Sequence, residues 1–130
     1  MSKSIVIVIA RFLSAQIFLL SGLSKLGDYA GTQTYMSTMG VPGMLLPVVI
    51  ALEIGGGLAL IAGVFTRWVA LALAGFSIAG AILFHRDFAD TTQLVMFMKN
   101  FAMAGGLLLL YVHGSGPFSV DAKRAIKAGE

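Results

Sequence analysis

Residues 44–63 read MLLPVVIALEIGGGLALIAG. A helix of this length extends about 30 Å, the thickness of bilayer hydrocarbon, so the stretch is long enough and apolar enough to span a membrane. Pro47 falls in its first turn, where backbone N–H groups have no helical partner to lose. Its one ionisable residue is Glu53, near the middle. Insertion scales put Asp, Lys or Arg at a helix centre at about 2.5 to 3.5 kcal/mol, so such a residue faces protein or water and takes a partner. The spacing puts Gly55, Ala59 and Gly63 on one face as a small-residue ladder, with Glu53, Gly57 and Leu60 on another.

Three further apolar runs flank this one. Residues 4–26 are apolar apart from Arg11, Gln16, Lys25 and a few serines. Arg11 interrupts what would be the apolar core of a signal peptide and no A-x-A-like site follows, so a retained first span is expected. Arg11, Ser14, Phe18, Gly22 and Lys25 recur at helical spacing, which places both cations on one stripe facing the bundle interior. Residues 27–43 form a polar link in which Tyr35, Met36 and Met39 share one side of a short interfacial helix that caps the bundle. Beyond the Glu53 span, Phe65, Thr66 and Arg67 read as a turn, with Thr66 as N-cap of an uncharged third span over about 67–84. Asp90 followed by Gln93 resembles a capping box opening a fourth span over about 91–112. In it Lys99, Met103, Gly106 and Leu110 form a stripe beside Asn100, and Gly114, Gly116 and Pro117 end the helix. The expected fold is therefore all-α: one integral membrane domain over 1–130, a four-transmembrane-helix bundle with a short interfacial helix in the first loop and a tail over 113–130.

Composition supports this reading, since 58% hydrophobic and 12% charged residues depart far from the roughly 45 to 50% apolar and 25% charged of soluble domains. The formal charge of +3 does not indicate nucleic acid, because the basic residues punctuate apolar runs instead of forming a face. No cysteine is present, which removes disulfides, thiolate metal sites and thiol redox chemistry from this polypeptide. Four spans place both termini on one side. That side collects Lys3, Arg67, Lys123, Arg124 and Lys127, whereas Lys25 and Arg86 on the other are offset by Asp28, Asp87 and Asp90, so the positive-inside rule puts both termini in the cytoplasm.

Depth along each helix suggests partners for Glu53. Glu53 and Lys99 both lie about 12 to 13 Å from the outer face, and Arg11 about 20 Å, at 1.5 Å per residue. The expectation is a buried Arg11–Glu53–Lys99 cluster with Asn100 beside it, and Lys25, Asp28 and His85 above it at the outer mouth. Two cations against one carboxylate would leave room for an anionic or carbonyl-bearing ligand. The alternative is a purely structural lock, since intramembrane ion pairs can simply fix helix order. Other chemistry is weakly supported. His85 and His113 sit at opposite membrane faces and cannot clamp one haem, the triple glycine at 55–57 lacks a phosphate-loop context, and no metal or flavin pattern is present.

The motif R...IF..SGL.KL, formed by Arg11, Ile17, Phe18, Ser21, Gly22, Leu23, Lys25 and Leu26, is followed in order by Gly40 and Pro42, Glu53 with its glycines, Gly63 and Arg67. FMKN at 97–100, GGLLLL at 105–110, and Ser119 and Asp121 complete the series. Together these resemble the DoxX family of small four-helix bacterial membrane proteins. The resemblance implies a plasma (inner) membrane location and, for some relatives, a role as subunits of thiosulfate:quinone oxidoreductases or other redox complexes. The expected function is thus a quinone- or small-molecule-binding subunit of a membrane redox complex, with Arg11, Glu53, Lys99, Asn100, Lys25 and His85 as binding residues and quinone as the candidate cofactor. The alternative is a non-enzymatic module that binds or moves a small anion or lipid, or anchors a partner. Whether the chain itself is an enzyme is open. Its partners would be the lipid bilayer and a redox subunit or further copies of the chain, not nucleic acid.

Overall fold

A computed structural model describes residues 2–129. Among the described residues there is no strand, and four helices are long and apolar enough to cross a membrane: α1 (Lys3–Gly27), α3 (Gly43–Ala62), α4 (Thr66–Phe84) and α5 (Thr91–His113). Two shorter helices, α2 (Tyr29–Thr38) and α6 (Val120–Lys127), sit at opposite ends of this bundle. The all-α, four-span architecture with a short helix in the first loop is the one present.

Each junction has a local cause. The Ser2 hydroxyl accepts the Ile5 N–H to start α1, and the Asp28 carboxylate accepts the Gly31 N–H, so one residue both ends α1 and caps α2. The α2 helix buries Met36 against Leu46 and Ile50, while Met39 stays 38% exposed. Gln33 Nε2 donates to the Gly43 carbonyl and ties α2 to the entry of α3. Gly63, at φ 75°, ends α3 in the left-handed conformation that glycine adopts without steric cost.

The α3 helix is not uniform. It begins as a 3₁₀ turn over Gly43–Leu45 and widens into a π-helical turn over Ala51–Gly55, with Glu53 at its centre. Such π-bulges occur often at functional sites. Neighbouring glycines decide which face packs. An added Cβ at Gly57 would lie 3.2 Å from the Ala15 carbonyl oxygen and from Leu19 Cβ, and one at Gly56 would lie 3.2 Å from Leu73. Gly55, by contrast, is exposed and would meet nothing. The tight helix-facing side of α3 is therefore the one carrying Glu53, Gly57 and Leu60; of the expected Gly55–Ala59–Gly63 ladder, Gly55 packs on nothing within the chain and Gly63 packs on Ser119 of the tail. The core gathers Ala15 and Phe18 of α1, Leu60 of α3, Leu73 of α4 and Leu107 of α5.

Two further expectations need correction. Thr66 does not cap α4; it is the helix's first residue, and the Asp121 carboxylate of the tail caps it, accepting N–H groups from Phe65 at 2.7 Å and Thr66 at 2.8 Å. The capping box at Asp90 is half formed. Asp90 accepts the Thr92 N–H, but Gln93 turns away to His85.

Candidate functional site

Helix geometry brings Lys25 to Glu53. The Cα–Cβ bond in a helix tilts toward the N-terminus, so the Lys25 side chain runs back over Ser21 and Gly22, one turn earlier. Gly22 presents no side chain there, and α3 comes so close that an added Cβ would lie 3.2 Å from Glu53 Cβ and 2.6 Å from Ile54 Cγ1. Lys25 Nζ thus ends 2.7 Å from Glu53 Oε1 and donates to Ser21 Oγ at 2.6 Å. The carboxylate side chain is 3% exposed and the lysine 27%. Glu53 Oε1 is sealed from solvent, and its contact with the ammonium is ionic without the alignment of a hydrogen bond.

The pair forms part of the wall of a cavity of about 420 Å³ between α1, α3, α4 and α5, covered by α2. That size lies within the roughly 300 to 1,000 Å³ range of small-molecule sites. Most of the lining is apolar, with rings from Phe18, Phe76 and Phe84 and the thioether of Met103. Polar groups are few and convergent. Besides Lys25, Glu53 and Ser21 they include Asn100, Ser77, Tyr35 and His85. Ser77 Oγ donates to the Leu73 carbonyl at 2.9 Å, which leaves its lone pairs free. His85 Nδ1 lies 3.0 Å from Gln93 Oε1. Tyr35 of α2 stacks on Phe84 of α4, with ring centroids 5.6 Å apart.

Of the six residues singled out from the sequence, this cavity brings together Lys25, Glu53, Asn100 and His85. It does not include Arg11 or Lys99. Arg11 points to the other end of the bundle, 3% exposed, and donates from Nε to Leu60 O at 3.0 Å, from Nη2 to Ile61 O at 3.0 Å and from Nη1 to Phe118 O at 2.9 Å, with Ser115 O as a fourth acceptor. Those carbonyls belong to the end of α3 and to the tail, so the guanidinium is satisfied without a carboxylate in contact. Lys99 is exposed on the outside of α5. Adjacent helical residues project about 100° apart, so Lys99 and Asn100 cannot both face inward, and the burial of Ala104, Leu107 and Leu110 turns Asn100 to the interior. The expected Arg11–Glu53–Lys99 cluster is therefore absent, and so is its surplus charge: one lysine meets one glutamate. Ser21 was legible as the residue one turn before Lys25 and Tyr35 as part of the capping face of α2, but Ser77 carried no comparable signal. Among the described residues no group of three or more His, Asp or Glu side chains is placed to hold a metal ion.

Comparison with known proteins places the chain. A family profile described as DoxX matches residues 6–86. The chain is 50% identical over 115 residues to the inner membrane protein YqjF of Escherichia coli (strain K12), covering 88% of each. It is 29% identical over 129 residues to the inner membrane protein YphA of the same organism, covering 94% of this chain and 92% of that one. A protein of Bacillus subtilis (strain 168) whose name reads "Putative oxidoreductase CatD" is 32% identical over 116 residues, 87% of this chain and 81% of that one. No solved structure matches. The relatives and the four apolar helices make the chain a multi-pass bacterial inner membrane protein.

Proposed function

The chain belongs to the DoxX family, and from that premise we propose that it binds a quinone headgroup or a similar neutral, carbonyl-bearing molecule beside Lys25 and Glu53, as the membrane subunit of a redox complex. The observation that carries this reading is the cavity itself, a mostly apolar chamber with its donors gathered around one buried ion pair. A balanced pair favours a neutral ligand over an anion such as thiosulfate, because an anion would face the carboxylate as well as the ammonium. Lys25 would donate to one carbonyl oxygen while Glu53 holds the ammonium in place. Asn100, from the far wall, offers an amide N–H to a second, and the rings of Phe18, Phe76 and Phe84 supply apolar surface for a planar headgroup. The oxidoreductase name of the Bacillus subtilis relative supports a redox setting. Because the chain has no cysteine, electrons would pass between the quinone and a partner subunit or substrate, not through thiols of this polypeptide. The asymmetry of basic residues supports cytoplasmic termini, which would set the cavity toward the opposite face.

Mass spectrometry of small molecules extracted from protein purified in mild detergent tests this. The expected result is a quinone in the wild type at near one equivalent and its loss in Lys25→Met and Glu53→Gln. Lipid alone in the wild type, with no uptake of an added short-chain quinone, would overturn it. A second reading, that the pair only locks α1 against α3, is favoured by the contact at Gly22. Retention of quinone by both variants would select that reading for the pair.

A further inference from the structure

A second cavity, of about 410 Å³, lies at the other end of the bundle where α4 begins, between α4, the end of α5 and the tail. Thr66 in its wall is 1% exposed, and its Oγ1 is buried without a hydrogen-bond partner. That oxygen is sealed behind the wall, so Thr66 shapes the cavity without offering it a donor. Beside it, the Arg67 guanidinium lies against Gly114, where an added Cβ would come within 3.1 Å of Nε and 3.3 Å of Nη2. Gly114 also sits at φ 77°, the left-handed region that favours glycine. Among the described residues Arg67 makes no ion pair or hydrogen bond, and its fork of donors is open. His113 adds a ring nitrogen at the C-terminus of α5.

Asp121 also lines this cavity, but its two oxygens accept the Phe65 and Thr66 N–H groups and are turned to the start of α4. The helix amides are therefore already partnered, and a ligand would meet the exposed Arg67 and His113 instead. A planar guanidinium with its donors free, and an imidazole beside it, suit the oxygens of a phosphate group. The setting points to the source. The cavity stands at the end of an apolar span, and it is flanked by Trp68, 66% exposed, and Phe65, 57% exposed, as in the aromatic belts at headgroup depth. Trp68 is held edge-on to Tyr111 at 6.2 Å, and Arg124 of α6 stacks over Phe65 at 4.9 Å, adding positive charge nearby.

We infer that the cavity beside Arg67 and His113 binds the phosphate of an anionic phospholipid headgroup. The site is independent of the quinone cavity and stands whether or not that assignment holds.

Trp68 is the only tryptophan in the chain and reports directly on what lies beside it. Delipidated protein is reconstituted with brominated phosphatidylglycerol or brominated phosphatidylcholine, and quenching of Trp68 is titrated. The expected result is half-maximal quenching at roughly a tenth of the mole fraction for the anionic lipid, a factor of ten being about 1.4 kcal/mol. Arg67→Gln should abolish that preference, and Arg67→Lys should keep part of it. Neutralising Lys123, Arg124 and Lys127 together should leave most of it. Equal quenching by the two lipids in the wild type would overturn the inference, and so would loss of preference in the tail variant with Arg67 intact. Displacement of the lipid by millimolar inorganic phosphate would assign the cavity to the free ion and overturn the lipid assignment. The wild-type titration alone is decisive should Arg67→Gln fail to fold.

Discussion

The two ends of the bundle each hold a charged side chain taken out of water, and they solve the problem differently. Arg11 reaches four backbone carbonyls, two at the end of α3 and two in the tail. Every hydrogen bond there is to a main chain that cannot move without unfolding a helix end or releasing the tail. Glu53 meets one lysine whose other side opens on a cavity, and the acceptor capacity of the carboxylate is only partly used. A buried charge with a full set of fixed partners is a clasp. One with a single flexible partner and space beside it is what a ligand site needs.

The largest effect should follow from Arg11→Met. It leaves four carbonyls without their donor and should cost about 3 to 5 kcal/mol of stability, read as loss of thermal resistance in detergent and early proteolysis of the tail after residue 114. A tail that stays protected would break the idea of a clasp. Next comes Lys25→Met, which strands a carboxylate that is 3% exposed and should cost about 2 to 4 kcal/mol. The pair Lys25→Met with Glu53→Gln should be less harmful than the two single losses added together, with a coupling of at least about 1 kcal/mol in a double-mutant cycle. Additive losses would mean that the ion pair contributes nothing.

Gly22→Ala tests the approach of α1 to α3 that positions the pair. Its new methyl would sit 2.6 Å from Ile54 Cγ1, so the expected loss is about 1 to 3 kcal/mol, with weaker ligand retention because Lys25 is displaced. Unchanged stability would show that the helices can separate freely there. The smallest effect belongs to Lys99→Met, expected within about 0.5 kcal/mol of wild type and with undiminished quinone recovery, because the residue is exposed. A large loss would return Lys99 to the site.

The difference between Lys25 and Lys99 also shows what could be read from the chain beforehand. Span number and the inward stripe of α1 follow from hydropathy and from a period of 3.6 residues, and both reappear in the burial of Arg11, Ala15, Phe18 and Gly22. The presence of a buried polar site around Glu53 follows from the cost of a lone carboxylate. Its partner does not, because depth counted along isolated helices carries no information on rotation about their axes. One position, the choice between Lys99 and Asn100, reverses what faces the cavity. The side-chain tilt that sends Lys25 back over Gly22 acts through a close approach of two helices, which no single helix reveals. The tail was least legible of all. Asp121 caps α4 across 55 residues of sequence, a pairing to which local capping rules are blind.

The contact of Arg11 with the tail bears on how the protein is made. The carbonyls of Ser115 and Phe118 lie 104 and 107 residues after the arginine they serve. During synthesis from the N-terminus, α1 therefore enters the bilayer with a guanidinium that has none of its final acceptors. Leu60 and Ile61 supply two once α3 is complete, and the others arrive only after α5 has been made. Closure of the Arg11 end of the bundle therefore waits on the tail, and a chain truncated after residue 114 is expected to insert its four spans yet to be digested faster than the full chain.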